Sequence, residues 1–138
     1  MSSRPQFNPQ IVIPSPQGQP ANGSSMGANI ISAPTIIQKL SMISYGISWS
    51  GATPVGTVSV QVSNDYSLNE DGTINNPGTW NTMTLNYNGT PTTAIPVTGS
   101  TGNGFIDVDA TAAYAIRLIY TFTSGSGTLK AVVNGKVT

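Results

Sequence analysis

Cysteine and histidine are both absent from this chain of 138 residues. Without cysteine there can be no disulfide, no thiol nucleophile and no zinc–thiolate centre. Without histidine the usual general base is missing, and with it the Ser-His-Asp triad and most transition-metal sites. Charge is scarce too: five basic and five acidic residues cancel to a formal net charge of zero. Such a chain offers no electrostatic footprint for nucleic acid or for an anionic membrane. Long apolar runs are also lacking, and none approaches the ~20 residues of a membrane-spanning helix. The opening MSSRPQFNPQ has one Arg and no apolar core, so it does not read as a secretory signal.

Proline is present but unevenly placed. Six of the ten prolines fall in residues 1–35: Pro5, Pro9, Pro14, Pro16, Pro20 and Pro34. The stretch SPQGQPANGSSMGAN excludes a helix or a central strand. Yet the segment carries apolar islands at Phe7, at Ile11, Val12 and Ile13, and at Ile30 and Ile31. A linker does not need them. Residues 1–35 therefore read as an extended docking arm, with those six residues as assembly contacts and Ile11–Ile13 as a strand for a neighbouring sheet edge.

Residues 36–138 read as β throughout. Ile43, Tyr45, Ile47 and Trp49 alternate with Ser44, Gly46 and Ser48, the period of a half-buried strand. The same pattern recurs at Val58, Val60 and Val62, at Ile106 and Val108, at Ile116, Leu118, Tyr120 and Phe122, and at Leu129, Ala131 and Val133. SGSG at 124–127 predicts a hairpin with Tyr120 opposite Ala131 and Leu118 opposite Val133. A second hairpin, with Ala110 opposite Tyr114, sets Asp107 across from Arg117 as an outer-face ion pair. The expected fold is all-β: an antiparallel, jelly-roll-like sandwich of seven or eight short strands over 36–138, with the arm outside it.

Three of the five acids, Asp65, Glu70 and Asp71, crowd one loop. They are weak calcium candidates, because their spacing is irregular and does not fit an EF-hand. The same residue types make turns, and the turn reading outweighs the metal. Asp107 and Asp109 share a strand face two residues apart, which suits a solvated surface better than a glycosidase pair. No catalytic residue or cofactor is expected. A sugar platform has more to draw on: Trp49, Trp80, Tyr66 and Tyr87. Trp49 continues an apolar strand face and belongs in the core. Tyr66 and Trp80 flank the acidic loop, and either pack on each other beneath it or leave one ring exposed.

GTVSVQVSNDY at 56–66, followed by the loop and Trp80, and RLIYTFTSGSGTLKAVVNGK at 117–136 resemble a group of small phage-encoded virion β-proteins. The resemblance covers residues 36–138. It implies a structural virion part, a capsid decoration (cement) or minor capsid protein, that needs no catalysis. Its partners would be the major capsid protein or neighbouring subunits, with homo-oligomers in the assembly and the arm as tether. It makes Asp65 and Trp80 architectural and lets Arg117 position the closing hairpin. The protein would be made in the host cytoplasm and end in the virion. The second expectation is a receptor- or glycan-binding module of a tail or spike. A hydrolase is an outsider that would need two carboxylates converging in a pocket.

Overall fold

In a computed structural model the described residues are 9–14, 24–38, 40, 42–87, 89–108 and 112–136, without the side chains of Asn86 and Tyr87. Phe7 and Asp109 lie outside them. Among the described residues twelve strands follow in order: β1 (Gln10–Ile13), β2 (Ile30–Ile31), β3 (Thr35–Ile36), β4 (Met42–Ser63), β5 (Ser67–Leu68), β6 (Ile74–Asn76), β7 (Asn81–Thr82), β8 (Leu85–Tyr87), β9 (Thr90–Thr92), β10 (Ile95–Val97), β11 (Thr101–Val108) and β12 (Ala115–Lys136). Among the described residues there is no helix, and every strand pair is antiparallel. The fold is all-β.

Two strands of 22 residues, β4 and β12, form the spine and pair along their whole length. The sequence splits each into two short strands, and the structure joins them. Tyr120 faces Val58 and Ala131 faces Ile47, so the expected hairpin at 124–127 does not form. The buried positions do change phase there, from even (Ile116, Leu118, Tyr120) to odd (Leu129, Ala131, Val133). A bulge accounts for this, because one extra residue moves every later side chain to the other parity. β4 shows the same change, from Ile43, Tyr45 and Ile47 to Val58 and Val60. The ladder is irregular in both strands between Ala52–Gly56 and Phe122–Ser126, and it recovers its step beyond the bend.

Glycine allows the two backbones to meet at that bend. Gly125 has φ 78°, and a Cβ there would lie 2.2 Å from the Thr53 carbonyl oxygen. Thr53 itself sits at φ 45°, rare for a β-branched residue. The halves on either side of the bend bury one common cluster, with Tyr45 and Ile47 from one half and Val58, Val60, Leu118 and Tyr120 from the other. One continuous, bent sheet of eight strands thus stands where two separate sheets of short strands were expected; β5–β6 and β8–β9 add two small ribbons.

β11 also has a different neighbour from the expected one. It lies beside the first half of β4, with Ile106 opposite Tyr45 and Asp107 opposite Ser44. Arg117 instead faces Gln61. The Asp107–Arg117 pair therefore does not exist: β4 has a free side along its first half and offers β11 eight partners in register. Ile106 and Val108 still point inward, at 4% and 1% exposure.

The arm supplies edge strands to its own chain. β1 adds to the second half of β12, while β2 and β3 add to the first half. Val12, Ile13 and Ile30 fill the common cluster, joined by Met26. Those three are thus core residues of their own chain, not contacts reserved for a neighbour. Ile11 stays exposed and Ile31 half-buried. Segments on both sides of residue 35 share one core.

Candidate functional site

β4 ends where its side chains begin to bond their own backbone. The buried Ser63 hydroxyl accepts from the Tyr66 amide (3.2 Å) and the Asp65 amide (3.3 Å), and donates to Asp65 Oδ1 (2.8 Å). Asn64 Oδ1 accepts from the Tyr114 amide (3.1 Å), fastening the strand end to the segment that enters β12. Ser, Asn and Asp act this way because a short polar side chain reaches nearby backbone donors and competes with the ladder.

Asp65 spans the loop. Its Oδ1 accepts from the Thr79 amide at 2.6 Å, and its Oδ2 from the Thr79 hydroxyl at 2.9 Å. The Thr79 amide bond is the main cause of a lowered Asp65 pKa, followed by the Ser63 hydroxyl and the Thr79 hydroxyl. Asp71 does a smaller version of the same, taking the Thr73 hydroxyl (2.6 Å) and amide (3.0 Å), and these two bonds lower its pKa in that order. Among the described residues Asp65, Glu70 and Asp71 do not form part of any three-carboxylate group that could hold a metal ion. The two aspartates are spent on loop hydrogen bonds.

Trp80 closes the loop. Its Nε1 donates to the Pro77 carbonyl at 2.8 Å. Its ring lies 5.7 Å from that of Tyr66 at a 51° tilt, a favoured aromatic arrangement. Tyr66 is buried, and Trp80 half-buried. The two rings thus pack on each other at the loop base. Gly78, at φ 89°, lies beneath, where a Cβ would come within 2.9 Å of both Ser63 Oγ and Trp80 Nε1. Trp49 packs against the core, its indole lying across Gly102.

Arg117 meets this loop from the outer face of β12. Its Cζ lies 4.3 Å from the Trp80 ring centroid, a cation–π contact. Its Nε donates to Gln61 Oε1 at 2.9 Å, across the strand pair. Partial burial lowers its pKa. Sequence reasoning singled out Asp65, Trp80 and Arg117 but gave Arg117 the wrong partner. It missed Gln61 and Thr79 altogether. The Gln61–Arg117 pairing has no local signal, while Thr79 beside the Asn76-Pro77-Gly78 turn had a weak one.

Together Arg117, the loop residues Ile74, Pro77 and Trp80, and the arm residues Ile31 and Pro34 line a groove of about 170 Å³. This is below the roughly 300–1,000 Å³ of ordinary small-molecule sites. Asp107 lies in the other half of the sheet and lines a depression of about 240 Å³ with Phe105 and Met42. Among the described residues Phe105 is the most exposed large apolar residue, at 68%.

No protein-family model matches the sequence, and no curated protein matches it. Among solved structures, the chain is similar to the SPBc2 prophage-derived protein YomS, at 11% identity and a TM-score of 0.39, over 95% of this chain and 98% of that one.

Proposed function

We propose that this is a non-catalytic structural protein of a bacteriophage virion, a capsid decoration or minor capsid protein that stabilises the shell by protein–protein contact. The observation that carries the reading is the use made of the chemistry-bearing side chains. Asp65 and Asp71 accept hydrogen bonds from their own loop, and Trp80 is engaged by Tyr66, Arg117 and Pro77. These groups hold a shape. The resemblance of 56–66 and 117–136 to phage virion β-proteins supports the same conclusion, and exposed Phe105 offers an anchor for a neighbour.

The glycan-binding alternative needs an open aromatic face. Arg117 lies over the Trp80 ring, and Tyr66 is buried, so this loop is a poor sugar platform. Binding to the shell would use outer surfaces of the sheet and loop, since the described arm strands are already paired. The test is to make particles without the gene, add purified protein, and measure binding and resistance to heat-induced genome release. Saturable binding with greater resistance supports the proposal. Particles that ignore the protein, while it adheres to host cells or glycans, would favour the tail-module reading.

A further inference from the structure

Among the described residues the Arg117 guanidinium has no carboxylate partner. Its Nε is spent on Gln61 and its plane rests near Trp80. Of the described carboxylates, Asp65 and Asp71 bond within their loop, Asp107 lies across from Ser44, and Glu70 forms no ion pair with it. A half-buried charge without a counter-charge is unfavourable, and burial already pulls its pKa down. The same setting favours an incoming anion. The cation–π contact with Trp80 and the Gln61 bond hold the guanidinium, and its terminal N–H groups are left for two-point recognition of a carboxylate.

The surroundings narrow the occupant. Ile31, Pro34, Ile74, Pro77 and Trp80, with Tyr66 and Ser32, make the walls around Arg117 mostly apolar, and the volume of about 170 Å³ suits one side chain rather than a free ligand. Ile74 is 38% exposed and available to flank it. We propose that the groove receives a glutamate or aspartate side chain, flanked by apolar residues, from an extended segment of a neighbouring virion subunit. The carboxylate pairs with Arg117, and its apolar neighbours lie on Ile74 and the two prolines. The identity of the partner as a virion subunit rests on the proposed function, but the carboxylate chemistry can be tested on the isolated chain.

The probe is the peptide acetyl-Ile-Glu-Ile-amide, with acetyl-Ile-Gln-Ile-amide as its neutral twin and glucuronic acid as an acidic sugar. Binding is read by NMR at the Trp80 indole N–H and the Arg117 Nε–H, with the Trp49 indole as internal control. The Glu peptide should move both groove signals saturably and leave Trp49 still. The Gln peptide should bind about tenfold more weakly, the loss of one charge-assisted contact. R117M should abolish the Glu–Gln difference, and R117K, which keeps the charge but not the fork, should retain part of it. Equal binding of the two peptides, or no movement of the groove signals, would overturn the proposal. Glucuronic acid binding with both peptides silent would overturn it in favour of an acidic glycan. Failure here leaves the particle experiment untouched, and failure there leaves this titration standing.

Discussion

Asp65 is an exposed carboxylate whose charge is held by geometry rather than by burial. The Thr79 amide, the Ser63 hydroxyl and the Thr79 hydroxyl all donate to it, so its folded pKa lies below the usual aspartate value, about 3.9 in a free chain. A depressed folded pKa gives stability that is present above the unfolded pKa and lost as pH falls through the folded one. The loop between Asp65 and Thr79 should therefore loosen on acidification below the ordinary aspartate range. Hydrogen exchange at the Thr79 amide checks this: protection should fall along that titration, and D65A should show the low protection at neutral pH. Unchanged protection in D65A would mean that the loop is held by Trp80 alone. The architectural roles of Asp65 and Trp80 were implied by the resemblance to phage virion β-proteins, and only the turn-forming character of the acidic loop was a local signal. The Arg117 contacts were not legible in the sequence, because Gln61 is 56 residues away.

At the scale of the element, the long strands show what alternation does and does not encode. Most inward positions of β4, β11 and β12 follow from a period of two and are buried as read. Trp49 and Val62, however, are half-buried, and Phe122 is 38% exposed, because the ladder irregularity after Phe122 ends the alternation there. Alternation says nothing about which strand lies alongside, so the partner of β11 was misassigned. Glycine misled for a related reason. SGSG serves a hairpin turn and a bulged crossing equally well, since both need positive φ or close backbone approach. The two roles have different consequences for substitution. Gly72 has φ 88° and open space around it, whereas Gly125 has φ 78° and the Thr53 carbonyl in the way. G72A should cost about 1 kcal/mol, the left-handed penalty alone. G125A should cost clearly more, about 2–4 kcal/mol, because the backbones must also separate. Urea denaturation of the two variants measures the difference, and equal losses would argue for a plain turn at 124–127.

At the scale of the whole molecule, the arm is the largest departure from the sequence reading. Its prolines mark it as irregular, and that signal hides the strands between them. Val12, Ile13, Met26 and Ile30 are exposed by at most 3%. Each buried side chain of this kind contributes about 1.5–3 kcal/mol, an upper range because the unfolded chain is partly compact. Four of them rival the whole net stability of a domain, about 5–15 kcal/mol. Deleting residues 1–35 should therefore abolish cooperative thermal unfolding, measured by calorimetry or circular dichroism, where the sequence alone suggested an intact domain. A truncated chain that melts cooperatively near the full-length temperature would restore the arm as a separate tether. The same sheet edges also explain why the chain presents a groove at all: Ile31 and Pro34 from the arm and Ile74, Pro77 and Trp80 from the loop meet above β12 only because the arm is folded down.

The claim that joins these scales is a structural place in a virion, and quantitative mass spectrometry of purified particles from the encoding genome tests it most directly. The protein should be present in intact particles, in many copies and in a fixed ratio to the major capsid protein. Its absence from particles, with the protein found only in the host-cell fraction, would contradict it.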